Sequence, residues 1–362
     1  MKEFAAPITP DVSELIDIVT RRKPPRRVHP IELFLDEEIR NAVADRFGLG
    51  AKPDPQDTAA VLSRDIRVHA FLGYDMFRVR GAPKDLFPMR HLPAEDTTAE
   101  RRQSRGDRQW QEEHQGPIQS WADFESYPWP KLSDVDLTQH EWLEKHLPDG
   151  MAFYDLSSHI FELQSFLLGY ESLCYLVVDD PALADAVLQR VGEFTVAYTE
   201  TLADCTRVGV IWGSDDLGFR TGTMMSPAYL RAKILPWHTR CAEIAHRHGK
   251  PYLLHSCGNL DQIAEDLIET VRIDAKHSYE DTILPAVEAK KRYGNRMAIL
   301  GGIDMDFLCR SNEEQVRRRT RETLEQCMPG GGYCLGTGNT VANYLPLDNY
   351  LGMLDEGRRW KV

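Results

Sequence analysis

The chain has 362 residues, 42% hydrophobic and 27% charged, a composition that builds a buried core and excludes a disordered chain. Its 56 acidic against 43 basic residues give a formal charge of -13, which argues against a nucleic-acid partner. No stretch approaches the roughly 20 apolar residues of a membrane span, and seven widely spread cysteines, an odd count, suit a reducing cytoplasm better than a disulfide framework.

In chain order, the opening MKEFAAPITPDVSEL lacks the apolar core of a signal peptide. Helices are expected at 10–22 and 35–47, and RRKPPRR at 21–27 reads as a solvated linker broken by prolines. Residues 1–60 therefore read as a helical arm packing on the remainder, 61–362. From 62 to 130 the pattern is irregular. Residues 94–117 are strongly polar, and SWADFESYPWP at 120–130 is rich in aromatics and prolines. We read 90–130 as an insertion whose Trp110, Trp121, Phe124, Tyr127 and Trp129 suit a docking surface, a substrate wall or the core equally.

From residue 151 the chain becomes rhythmic. MAFYDL suits a strand, and 159–204 suits helices broken at Gly169 and before Pro181. VGVIWGSDD at 208–216 is an apolar run ending in carboxylates. Helix 227–248 opens with Ser226-Pro227, a cap followed by proline at the first helical position. Strands then fall at 251–256, 272–276, 297–303 and 332–335, and helices at 260–270, 283–293, 312–327 and 346–358. Such alternation predicts parallel βα units. No Gly-x-Gly-x-x-Gly turn leads into a helix, which favours a (β/α)8 barrel over a dinucleotide-binding sheet.

In a barrel, chemistry collects at the C-terminal strand ends. Those ends carry Asp215 and Asp216, then His255 and Cys257, then His277 and Glu280, then Asp304, then Cys334 and Asn339. His255, Cys257 and Cys334 have the donor types that suit zinc, with Glu280 as a weak fourth ligand that substrate displaces. Asp215 or Asp216, with Asn339, is expected to act on or orient substrate, and Arg220, Met224 and Tyr344 to bind it. Asn339 and Asn343 suit turn-capping as well. Cys174, Cys205, Cys241, Cys309 and Cys327 read as core filling, and His246 and His248 as complements to a helix C-terminus.

GSDDLGFRTGTMMSPAYLRAKILPWH, LLHSCGNLDQI, AILGGID and GTGNTVANYLPLDNYLGMLDEGR resemble the uroporphyrinogen decarboxylase superfamily, within it the cobalamin-linked methyltransferase branch. The likeness runs through roughly 150–362. It implies a (β/α)8 barrel with zinc held through a His-x-Cys…Cys pattern, here His255, Cys257 and Cys334, and it places Glu280 near an additional glutamate ligand of related barrels. PPRRVHPIEL has arginines but not the carboxylate-gripping motif of the decarboxylases. The implied activity is zinc-dependent transfer of a methyl group from a small donor, such as a methoxylated aromatic, to Co(I) of a corrinoid protein. The alternative implied is transfer from a methylated corrinoid to a zinc-activated thiol. A porphyrinogen decarboxylase or a non-catalytic, zinc-stapled barrel ranks below both. Monomer and homodimer stay open.

Overall fold

A computed structural model describes residue 4 and residues 7–79, 83–95 and 107–361 of the chain. Most of the polar run at 94–117, together with the side chain of Trp110, lies outside the residues and side chains described.

Six strands form one parallel sheet, in the order Tyr333–Cys334, Ala298–Leu300, Ala275–His277, Tyr252–His255, Ile211–Ser214 and Leu156–Ser157. Strand Ala152–Tyr154 leads straight into the last of these and pairs in parallel with Met76–Arg78. At the other edge, Leu335 forms a parallel bridge with Pro30, and Val341 with Leu35. The segment 30–35 thus supplies an eighth stave, so the arm expected over residues 1–60 contributes to the barrel wall. Between this stave and Met76–Arg78 there is no ladder among the described residues. Tyr154 stands in for it, donating from its hydroxyl to the carbonyls of Glu32 at 2.9 Å and Leu33 at 3.0 Å. The result is an α/β (β/α)8 barrel.

Side chains alternate along each stave, as the period of a strand requires. Trp212, Leu253, Ala275, Ala298, Leu300 and Cys334 fill the barrel interior. Ile211, Tyr252, Leu254, Ile299 and Tyr333 face outward against the helices. The helices start where capping chemistry dictates. Asp180 accepts from the Leu183 N–H at 3.2 Å ahead of Pro181–Asp204, with Pro181 in the first turn. Asn312 and Gln315 exchange side-chain-to-backbone bonds, both 2.9 Å, at the head of Glu313–Cys327. No described helix is long and apolar enough to cross a membrane.

Two expectations are corrected here. The irregular stretch from 62 onward contains most of helix Thr58–Leu72, capped by Asp57, and the stave Met76–Arg78. Its apolar positions are interrupted by Arg64, Asp65 and His69, all buried, which hides the helical stripe. RRKPPRR is also more than a linker. Arg27 pairs with the fully buried Asp75 at 2.5 Å, and His29 holds the other oxygen of that carboxylate at 2.7 Å. This network plugs the barrel end opposite the strand termini.

The seam between the last and first staves depends on a buried acid. Glu32 accepts the Thr337 N–H at 2.9 Å and its hydroxyl at 2.6 Å. Gly336 permits the approach, because a Cβ there would lie 2.0 Å from the Ile31 carbonyl oxygen. Burial raises the Glu32 carboxyl from 4.5 to about 8, against the two Thr337 bonds. The folded state therefore holds a proton that the unfolded chain has lost. Stability from this group is complete below about pH 4.5 and falls as pH rises towards 8. Glu32→Gln keeps one acceptor oxygen for the Thr337 N–H and removes the charge; its amide NH2 faces the Thr337 hydroxyl, which can accept from it and donate instead to the Asn339 carbonyl. We expect its advantage over the parent to grow from near zero at pH 4.5 by about 1.4 kcal/mol per pH unit up to pH 8, read by urea unfolding. Parallel pH profiles for the two proteins would contradict this assignment.

Candidate metal centre at the barrel mouth

Ser214 and His255 pair across the parallel ladder, so Asp216 and Cys257 each lie two residues past the same rung. The chain joins them directly, since the Cys257 N–H donates to Asp216 Oδ1 at 2.8 Å. His255 Nε2 then lies 3.6 Å from Asp216 Oδ1 and 3.6 Å from Cys257 Sγ. All three donor atoms fall within 4.8 Å of one another. Sulfur and nitrogen ligands about 2.3 and 2.0 Å from one tetrahedral zinc are separated by roughly 3.5 Å, so the trio has the spacing of three ligands around one ion.

Surrounding groups fix these donors. His255 Nδ1 lies 2.7 Å from Nδ1 of the fully buried His277, leaving Nε2 to face the trio. The Asn339 amide donates to Cys257 Sγ at 3.3 Å. Gly258, at φ +78°, packs so closely on the hairpin Gly218–Thr223 that a Cβ would meet the Gly218 carbonyl carbon at 2.2 Å. Behind the trio, the Lys276 ammonium is buried and donates to the carbonyls of Ser278 at 2.7 Å and Ser256 at 3.2 Å.

The electrostatics favour an added cation. Burial raises the Cys257 thiol to about 12, with Asp216 adding and Ser278 and Lys276 opposing. Burial, with Glu162 nearby, raises the Asp216 carboxyl to about 6, although its side chain keeps one edge open to solvent. Burial, then Lys276 and His159, lowers the His255 imidazole to about 3. Burial also lowers Lys276 to about 8, against the pull of Cys257, Asp216 and Glu280. A bound dication reverses the penalty on the thiolate and carboxylate and displaces the thiol proton. An oxygen, a nitrogen and a sulfur donor with one side open fit a zinc that keeps a position for substrate.

Cys334 does not join this group. It is fully buried in the barrel interior beside Leu300 and Ala298, and its electrostatic neighbours are Asp75 and Arg27 at the opposite end. The rungs explain why the strand-end pattern points to Cys334. Leu254 pairs with Lys276, Lys276 with Ile299 and Ile299 with Tyr333, which brings Cys334 to the rung reached from His255. Staves tilt against the barrel axis, so a rung followed through several of them descends. The residue that reaches Cys257 from this stave is Asn339, five positions on.

Asp215 is also reassigned. It is fully buried and accepts the N–H groups of Phe161 at 2.9 Å and Glu162 at 2.8 Å, the start of helix Phe161–Leu168. His238 Nε2 lies 2.9 Å from the same carboxylate, with its other ring nitrogen 2.8 Å from the Tyr252 hydroxyl. Asp215 therefore anchors a helix behind the site and offers no oxygen to substrate. Met224 packs against the outer core, its carbonyl accepting from Tyr170 at 2.6 Å. Arg220 is exposed at the tip of hairpin Gly218–Thr223.

Glu280 is half-buried and stands outside the ligand trio, but near enough to act electrostatically on Cys257 and Lys276. It lines a cleft of about 670 Å³ together with Asn339 and Tyr344. His159 and Glu162, paired at 2.8 Å, were not singled out from sequence. Applying the strand-end rule to MAFYDLSSH would have found His159. Among the other cysteines, Cys241 and Cys327 are buried, Cys205 and Cys309 are partly so, and Cys174 is exposed rather than core. His246 and His248 pair with Asp274 and Glu200, each at 2.8 Å.

Two measurements separate these roles. Cys257→Ala should lose bound zinc whereas Cys334→Ala keeps one equivalent, as metal analysis of the purified variants would read; equal loss in both would contradict the ligand set. Asp215→Ala should cost about 3 kcal/mol or more in unfolding free energy, because it strands two N–H groups and His238. The folded variant should take up added zinc to the same extent as the parent.

A family model for uroporphyrinogen decarboxylase (URO-D) matches residues 117–360. A methyltransferase from Methanosarcina mazei superposes with a TM-score of 0.71 at 17% identity, covering 96% of this chain and 98% of that one, a likeness of fold. A putative vitamin-B12-independent methionine synthase from Listeria monocytogenes is similar at a TM-score of 0.49 and 13% identity, covering 92% and 97%. A xylanase from Thermoanaerobacterium saccharolyticum reaches 0.45 at 10%, covering 92% and 89%. No curated protein matches the sequence. The family match spans two thirds of the chain and takes in every stave of the barrel that carries the metal-ligand candidates; the chain belongs to the uroporphyrinogen decarboxylase (URO-D) family.

Proposed function

We propose that this protein is a zinc-dependent methyltransferase that moves a methyl group from a small methyl ether to the Co(I) of a corrinoid protein. The observation that carries this reading is the Asp216–His255–Cys257 trio at the open end of the barrel, with one side of its donors free. Zinc held there would polarise the ether oxygen and help it depart as an alkoxide or phenoxide. A single thiolate leaves the ion a stronger Lewis acid than two would, which supports ether cleavage over thiol activation.

The chain's own groups set up the displacement. His277 fixes the His255 ring, and Asn339 orients the Cys257 sulfur by donating to it. Lys276 supplies a buried positive charge behind two anionic donors. Glu280, Asn339 and Tyr344 line the cleft where a small donor would lie. In-line transfer needs leaving oxygen, methyl carbon and cobalt collinear, so the corrinoid must approach from the open mouth. Porphyrinogen decarboxylation fits poorly. The cleft wall carries Glu280, Asp281, Asp304 and Asp306 against Arg310 alone, and would repel a polycarboxylate.

The test mixes zinc-loaded protein, Co(I) corrinoid and a panel of methyl ethers and methylamines, following corrinoid absorbance. We expect conversion to methylcobalt with an ether, and at least a 100-fold slower rate for Cys257→Ala. The reverse assay, methylcobalamin with thiols, should be silent. Turnover only in that direction would transfer the assignment to a thiol methyltransferase, and silence in both would overturn it.

A further inference from the structure

A second cavity shares no residue with the metal centre or its cleft. It encloses about 220 Å³ between helices Glu37–Phe47 and Thr58–Leu72 and the end of stave Met76–Arg78. Lys52, Arg40, Arg64 and Arg78 line it, against Glu37 and Asp65, so four cationic and two acidic side chains leave +2. That is a local reversal in a chain of formal charge -13.

Arg64 is the decisive group. It is only 3% exposed, and its Nη2 is buried without a hydrogen-bond partner. Its other nitrogens are weakly engaged, Nε with the Gly50 carbonyl at 3.4 Å and Nη1 with Asp65 at 3.6 Å. Arg40 takes the close contact with Asp65, at 2.8 Å. A buried guanidinium donor that folding leaves unused is costly unless something else accepts from it. The planar fork of arginine matches a carboxylate or phosphate with two parallel bonds. Phe34, Val61, Leu62 and Phe77 give the wall an apolar part, beside the uncharged polar Asn41, Thr58 and Gln139 and the ring of His69, and the Arg78 guanidinium lies over the Phe34 ring at 4.6 Å. The volume falls below the roughly 300–1,000 Å³ of drug-sized sites, enough for one ring and too small for a tetrapyrrole.

We propose that this cavity binds a small oxyanion, a carboxylate or phosphate, carried on a single apolar or aromatic body. The site stands independently of methyl transfer. Titration calorimetry of the whole protein with benzoate, phenyl phosphate, benzamide and inorganic phosphate tests it without corrinoid or turnover. We expect benzoate or phenyl phosphate to bind, the tighter of the two naming the oxyanion, with benzamide and inorganic phosphate at least tenfold weaker. Arg64→Met should weaken binding at least tenfold.

Because Arg64→Met removes a buried side chain, Asn41→Asp supplies a shape-conserving check. Asn41 also lines the cavity, and its side-chain oxygen is buried there without a partner. The added charge should weaken binding several-fold with the circular dichroism spectrum unchanged. The proposal is overturned if neither anion binds, if Asn41→Asp binds like the parent, or if benzamide or inorganic phosphate binds as tightly.

Discussion

The parallel rung between Ser214 and His255 is the constraint on which the candidate site depends. Side chains two residues past a shared rung emerge on the same face at the same height. Asp216 and Cys257 meet for that reason, and the backbone bond from Cys257 to Asp216 closes the arrangement. Asp215, next in sequence to Asp216, points the other way and ties the following helix to the same strand end. Adjacent carboxylates thus serve opposite sides of the barrel wall, one turned to chemistry and one to architecture.

The same geometry shows what was legible in the sequence. The alternation of apolar runs with helical stretches after residue 151 is a local property, and it places the staves to within a few residues. The strand-end rule likewise finds His255, Cys257 and Asp216, because these lie on neighbouring staves where tilt has little effect. It fails for Cys334, three staves from His255, where accumulated stagger sinks an inward-facing residue into the core. Stagger belongs to the closed barrel and has no local signature. The first stave was hidden for another reason. Segment 30–35 carries a buried glutamate, begins at a proline and makes isolated bridges rather than a ladder, so it has no strand-like run to read.

Three of the places along the barrel where charge is buried or half-buried compensate it differently. At the closed end, Asp75 is matched by Arg27 and His29. At the seam, Glu32 is satisfied by Thr337 and neutralised by its own raised pKa. At the mouth, the Asp216 carboxyl and the Cys257 thiol are balanced only by Lys276 behind them and an unfilled preference for positive charge in front. Satisfied networks such as the first two fix a fold, whereas an incompletely compensated one such as the third marks a place for a ligand.

The central claim is that a metal ion at this mouth has one sulfur ligand, from Cys257, with nitrogen and oxygen from His255 and Asp216. X-ray absorption at the zinc edge of the metal-loaded protein tests it most directly. The account predicts a shell of one sulfur near 2.3 Å with the remaining ligands near 2.0 Å. A shell of two sulfurs would return Cys334 to the site and contradict the geometry described here.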